Sequence, residues 1–242
     1  MKLIVAGSTG FVGTEVIRLS LKRPDITTVI ALSRTPISLP QQPEAGADVS
    51  KLRNVIVKDY GEFPDSVKKE FAGADACIWT VAITPARAKR IDFNEVKRVC
   101  QESTVTGLRT MHEAGVNRPF RFLYTSGIAA ERDQTKTPTF MPEYSLMRGE
   151  TENQLLAVAA ESGGDLEVCV AKPGWITAAT FTRKSIMAFV LRWTASVPSV
   201  TVSEISAAMI DQVAHGFDKE PLMNEDLVSI GRRALSAPPA GE

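Results

Sequence analysis

The order of apolar and turn-forming residues predicts a doubly wound α/β fold with a parallel sheet. Three observations carry this reading. The chain opens on a short apolar run, Leu3 to Ala6, that breaks into the glycine-spaced turn Gly7-Ser-Thr-Gly10-Phe-Val-Gly13. Short apolar runs then alternate with longer amphipathic stretches through six units, the pattern of strands joined by helical crossovers. Those runs are continuously apolar rather than alternating, as strands covered on both faces are.

Taken in order, the first helix follows the glycine turn with Val12, Val16 and Leu19 on one face (i, i+4, i+7). Arg23-Pro24-Asp25 marks a turn, and Thr28 to Leu32, rich in β-branched residues, is the second strand, ending in Ser33-Arg34. Pro36 to Ala47 reads as a surface loop. Val55 to Val57 is the third strand, Phe63 to Phe71 a short helix and Ala76 to Thr80 the fourth strand. A long helix spans Asp92 to Glu113, with Gly115 in the C-cap position. Phe120 to Thr125 is the fifth strand, Tyr144 to Glu161 a helix stopped by Gly163-Gly164, and Leu166 to Ala171 the sixth strand. Beyond Trp175 the pattern loosens: a helix around Lys184 to Trp193, another from Ser203 to His215, and a last short apolar run, Leu227 to Ile230. Residues 1–242 are expected to form one domain, with 175–242 making a small substrate-side cap at the C-terminal ends of the strands, where open α/β sheets bind ligands.

Size and composition narrow the function. A chain of 242 residues suits one α/β domain. Lys+Arg and Asp+Glu both number 28, so nothing global favours nucleic acid or an anionic membrane. No apolar run reaches the length of a membrane span, and no signal or transit peptide is expected. Cys77, Cys100 and Cys169 are far apart and set in apolar context, which reads as buried free thiols of a reducing, cytoplasmic compartment. His112 and His215 lack Cys or His partners at ligand spacing, so no metal is expected. The long helices after the fourth and fifth strands could pair in a homodimer. The partner expected is a small-molecule substrate.

The Gly-x-x-Gly-x-x-Gly spacing at a strand–turn–helix junction resembles the N-terminus of the atypical and extended short-chain dehydrogenase/reductases, Rossmann-fold proteins whose superfamily includes the NmrA-like and epimerase-like branches. The resemblance implies that Gly7, Ser8, Thr9, Gly10, Phe11, Val12 and Gly13 form the pyrophosphate-binding turn at a helix N-terminus. At the end of the second strand an acid would select NAD and an arginine NADP. Arg34, with Ser33, Ser8 and Thr9 as hydroxyl donors, therefore points to NADP(H) rather than NAD(H). The resemblance further places Asp59 beside the adenine amino group, Tyr60 against the same ring, and Thr80, Val81 and Ala82 on the opposite wall. Pro173 and Gly174, in Pro-Gly-Trp175-Ile, match the run that passes the nicotinamide.

The family's catalytic set is a serine after the fifth strand and a Tyr-x-x-x-Lys pair on the next helix. Here these are Ser126, Tyr144 and, in place of lysine, Arg148. The tyrosine would exchange a proton with the substrate oxygen, the cation lowering its pKa from about 10, while the serine hydrogen-bonds that oxygen. Arginine keeps the charge and can hold ribose hydroxyls, but it cannot deprotonate in a relay. Phe140, Met141, Phe181, Met187, Phe189 and Trp193 are candidates for an apolar substrate pocket. Three functions are compatible: an NADPH-dependent oxidoreductase on a carbonyl or alcohol, an NADP(H)-binding redox sensor of the NmrA-like kind, or a non-redox isomerase or cyclase on the same fold. The first matches the residues most fully.

Overall fold

The computed structural model describes residues 1–37, 44–178 and 197–236. Its centre is a seven-stranded sheet, parallel throughout. The strands are β1 (Lys2–Ala6), β2 (Thr28–Ser33), β3 (Leu52–Ile56), β4 (Ala76–Trp79), β5 (Phe120–Thr125), β6 (Leu166–Lys172) and, skipping two, β9 (Leu222–Met223). Their spatial order is β3-β2-β1-β4-β5-β6-β9. The chain builds outward from β1 to β3, then returns to the other side of β1 with β4. That reversal opens a crevice between β1 and β4 at their C-terminal ends.

The pleat divides the strands between two cores. Ile4, Ile30, Trp79, Phe122 and Tyr124 face one side, under α2 (Asp65–Phe71), α5 (Ser103–Glu113) and α6 (Pro142–Glu161). Leu3, Val5, Val29, Ile78 and Leu123 face the other, under α1 (Phe11–Ser20), α7 (Val202–His215) and α8 (Asn224–Ser236). Each fully buried aliphatic side chain contributes about 1.5–3 kcal/mol. An exposed pair such as Lys68–Asp65 contributes about 0–1 kcal/mol. The strand sequences, not the surface charges, therefore decide the fold.

The predicted helix over 92–113 exists but is not uniform. After the short α3 (Pro85–Ala88), α4 (Phe93–Lys97) passes through a π-helical turn, Arg98–Glu102, into α5. Gly115, just beyond the C-cap Ala114, has a positive φ as expected. β3 is longer at its start than Val55–Val57 suggests: it is a sheet edge, and its exposed Arg53 and Asn54 hide it from an apolar count.

The described part of the expected cap is distributed. β7 (Trp175–Thr177) and β8 (Ser199–Thr201) pair as a small parallel ribbon just past the end of β6. α7 and α8 lie in the helix layer beside α1 and against the sheet. The run Leu227 to Ile230 is the buried stripe of helix α8, not a strand, and β9 beside it adds the seventh strand on Ala171 and Lys172. The expected helix around 184–193 falls outside the described residues, as does the middle of the 36–47 loop.

Candidate functional site

The glycine turn sits in the crevice between β1 and β4. Gly7 takes φ +81°, a conformation glycine adopts without strain, and its carbonyl accepts from the Gly10 N–H at 2.9 Å. A Cβ at Gly13 would lie 2.3 Å from the Gly7 oxygen. Gly13 is thus required by the turn's own backbone folding onto the helix, more than by helix–strand packing. Thr9, Gly10 and Phe11 are exposed and Val12 is half-buried. No side chain caps α1, and its first turn carries no acid. This leaves a positively polarised, uncapped helix end facing out, a fit for a pyrophosphate. The Ser8 hydroxyl is buried and has no hydrogen-bond partner among the described residues.

Two side chains brace the turn from behind. The Tyr60 hydroxyl accepts from the Gly7 N–H at 3.2 Å and donates to the Leu32 carbonyl at 3.0 Å. Its ring stacks edge-on against Trp79, 5.6 Å between centroids. Tyr60 is therefore buried beneath the turn, not a platform for an adenine ring. The Thr80 hydroxyl donates to the Ala6 carbonyl at 2.8 Å, fixing β4 to β1. Val81 is buried and Ala82 exposed just beyond it.

At the end of β2, Arg34 is exposed and makes no hydrogen bond or ion pair among the described residues. Ser33, in contrast, is buried and donates to the Thr35 carbonyl at 2.6 Å, so its hydroxyl is not free for a phosphate. Asp59 accepts from the Gly61 N–H at 2.8 Å and pairs with Arg98 at 2.6 Å.

Tyr144 and Arg148 come together as the spacing predicts. One helical turn apart on α6, the Arg148 guanidinium donates to the Tyr144 oxygen at 3.0 Å and to the Thr125 carbonyl at 2.7 Å. It lies over the rings of Tyr124 and Tyr144, at 5.1 and 5.8 Å from their centroids. Arg148 is buried, its Nε has no partner, and no carboxylate pairs with it among the described residues. Tyr144 donates to the Ile83 carbonyl, beyond β4, at 2.9 Å. Burial pushes the Tyr144 pKa up, and the Arg148 charge offsets only part of that. The cation therefore does not bring the phenol toward neutral pH in this structure. Cys100, from the π-helical turn, packs in the same cluster and accepts from the Ile83 N–H at 3.2 Å.

Ser126 is not joined to Tyr144. Its hydroxyl donates to Glu152 at 2.5 Å, and Glu152 also accepts from Arg132 at 2.7 Å and Lys172 at 3.1 Å. Glu152 is fully buried; Arg132 continues to Glu220, and Lys172 donates to the Ala130 carbonyl at 2.8 Å. Sequence reasoning missed this cluster. Its one signal was an acid two turns after Tyr144 and a lysine closing an otherwise apolar strand.

Gly174 has a packing task at the end of β6. A Cβ there would lie 2.0 Å from the Pro198 carbonyl oxygen, so glycine lets the β7–β8 ribbon close, while its N–H donates to Asn224. Pro173 is buried and its carbonyl accepts from the Ile128 N–H at 2.9 Å. Phe140 is exposed and Met141, at φ +39°, packs beside Tyr144; Phe181, Met187, Phe189 and Trp193 lie outside the described residues.

A model of the NAD(P)H-binding family matches residues 7–215, from the glycine turn to the end of α7. The chain belongs to that family. The NAD(P)H-binding assignment agrees with the resemblance to the atypical and extended short-chain dehydrogenase/reductases. The protein FMP52, mitochondrial, of Candida albicans is 23% identical over 52% of this chain; the match spans 58% of that relative's length. Solved structures share the fold at low identity. The dTDP-glucose 4,6-dehydratase DesIV from Streptomyces venezuelae, with NAD bound, superposes with a TM-score of 0.67 at 18% identity, covering 98% of this chain and 82% of DesIV. Vestitone reductase from alfalfa gives 0.65 at 17%, covering 92% and 76%. MoeE5 in complex with UDP-glucuronic acid and NAD gives 0.67 at 17%, covering 92% and 75%. No described helix of this NAD(P)H-binding chain is long and apolar enough to cross a membrane.

Two predictions follow from this geometry. Glu152→Ala leaves Lys172 and Arg132 without their shared buried anion and should cost about 3–5 kcal/mol in urea unfolding; a loss below about 1 kcal/mol would mean that the cluster is hydrated and loose. The chain's three tyrosines, Tyr60, Tyr124 and Tyr144, are all pushed upward by burial, Tyr60 to about 12. Their native protons are held more tightly than those of unfolded tyrosines, which ionise near about pH 10. Stability from this source should thus be complete below about pH 10 and fall as pH rises through the folded values. Phenolate absorbance in the folded protein at neutral pH would contradict it.

Proposed function

We propose that the chain is an NADPH-dependent oxidoreductase acting on the carbonyl or alcohol of a small, apolar molecule. The observation that carries this reading is the Tyr144–Arg148 contact, 3.0 Å, held between the Ile83 carbonyl beyond β4 and the Thr125 carbonyl at the end of β5. A phenol fixed by a permanent cation at the mouth of a dinucleotide crevice suits proton exchange with a substrate oxygen.

In this reading the Gly7–Gly13 turn holds the pyrophosphate, Arg34 the 2′-phosphate, and Thr80 to Ala82 line the crevice wall. Pro173 and Gly174 border the nicotinamide side. The bound cofactor would supply or accept the hydride. Tyr144 would exchange its Ile83 hydrogen bond for one to the substrate oxygen, and Arg148 would orient the phenol while remaining charged throughout. Ser126, its proton engaged by Glu152, keeps lone pairs that can accept from a substrate hydroxyl. The exposed side chains of Ile128 and Phe140 favour an apolar substrate.

One observation favours a second reading, an NADP(H)-binding sensor without turnover: the protons of both Tyr144 and Ser126 go to acceptors of the protein itself. The test is a fluorescence titration with NADPH and NADH, then a carbonyl screen followed by loss of reduced-nicotinamide absorbance. The oxidoreductase should bind NADPH more tightly, lose that preference by roughly tenfold in Arg34→Glu, and oxidise NADPH with some apolar aldehyde or ketone. Tyr144→Phe should then lower turnover about a hundredfold or more while sparing binding. Tight binding with no oxidation across the screen would favour the sensor. Failure to bind either dinucleotide would sink both.

A further inference from the structure

We propose that Arg98, outside the glycine turn and the tyrosine helix, is a specificity-determining residue for the phosphorylated dinucleotide, because it holds the two acids beside Arg34 and so leaves Arg34 free for a 2′-phosphate. The inference rests on the NADPH reading above.

Arg98 opens the π-helical turn between α4 and α5, where the Ser103 hydroxyl donates to its carbonyl at 2.9 Å. Its guanidinium spans two carboxylates. Nη1 donates to Asp59 at 2.6 Å, while Nε and Nη2 form a fork on Glu95 at 2.7 and 2.8 Å. Arg34 follows Ser33, whose carbonyl accepts from the Val57 N–H at 3.0 Å, so it leaves β2 beside the segment that carries Asp59. Among the described residues it has no hydrogen-bond or ion-pair partner, and after the Gly61 and Arg98 contacts its charge also favours the ionised forms of Asp59 and Glu95.

Exposed ion pairs of this kind add little to stability. Their consequence here is for a ligand. Without Arg98, two uncompensated carboxylates would compete for Arg34 and repel a phosphate arriving there. With Arg98 in place, one of the two negative charges is balanced and both carboxylates are engaged at once, Glu95 by a bidentate fork of a kind lysine does not form. Selection of the phosphorylated cofactor then depends on two arginines with separate tasks: Arg34 contacts the phosphate, and Arg98 removes its competitors.

The experiment measures NADPH and NADH affinities of the full chain as wild type, Arg34→Glu, Arg98→Gln, and Arg98→Gln combined with Asp59→Asn and Glu95→Gln, with thermal melting to confirm folding. Arg98→Gln should weaken NADPH roughly three- to tenfold, more at low salt, and leave NADH within about twofold. The triple variant should recover the wild-type ratio of affinities, because the competing acids are gone. If Arg34→Glu collapses the ratio but Arg98→Gln leaves it unchanged, or the triple variant fails to recover it, Arg98 has no part in selection and the NADPH reading stands alone. If the wild type shows no preference for NADPH, that reading falls and this one with it.

Discussion

The Tyr60 hydroxyl, held between the Gly7 N–H and the Leu32 carbonyl, is the contact on which the geometry of the crevice depends. It joins the ends of β1 and β2 to the segment after β3, and the Thr80 hydroxyl adds β4 through the Ala6 carbonyl. Four strand ends are thereby fixed where the sheet order reverses. The glycine turn can present bare backbone to solvent because its other side is fastened by the buried Tyr60 and the half-buried Thr80. Trp79, packed edge-on against Tyr60, and Gly107, where a Cβ would lie 2.4 Å from Trp79, extend that bracing into α5.

Around this knot the site divides by kind of charge. On the α4 side the charges are half-exposed and screened by solvent, so they add little to the stability of the fold. On the α6 side they are buried. Glu152 is satisfied by three donors, an arrangement that must be nearly complete to be tolerated. Arg148 is held differently, by two oxygens and two aromatic rings, with its Nε left without a partner.

What was legible in the sequence follows from these physics. Continuously apolar strands such as Val29 to Leu32 announce burial on both faces, and Gly7, Gly10 and Gly13 announce a bare-backbone turn, so the sheet and the crevice could be read directly. The edge strand β3, half exposed, could be read only in part, and the two-residue β9 was too short to register. The Tyr144–Arg148 contact was legible because it lies within one helix turn. The hydroxyls were not. A serine or tyrosine carries no sign of which way it points, so Ser33, Ser8 and Tyr60 read as ligand contacts when the fold uses or buries them. The Ser126–Glu152–Lys172 cluster joins β5, α6 and β6, and no local spacing reveals such a meeting.

The arginine that replaces lysine on α6 makes sense beside the lysine that closes β6. At position 148 the acceptors lie on two elements, Tyr144 on α6 and Thr125 on β5, and the guanidinium carbon lies 5.1 and 5.8 Å from the centroids of the Tyr124 and Tyr144 rings. A planar guanidinium with five donors spreads its hydrogen bonds over both oxygens while lying over the two rings, where a compact ammonium has fewer donors and no planar face. At position 172 the demand is the reverse: one buried carboxylate and one carbonyl, close together. There a point charge on a flexible stem is the better match. The chain thus keeps a cation at each place and chooses its shape by the geometry of the acceptors. The same fork that fixes the phenol also denies it a second proton carrier, so in the proposed reaction any proton that leaves Tyr144 would go to the substrate oxygen or to solvent.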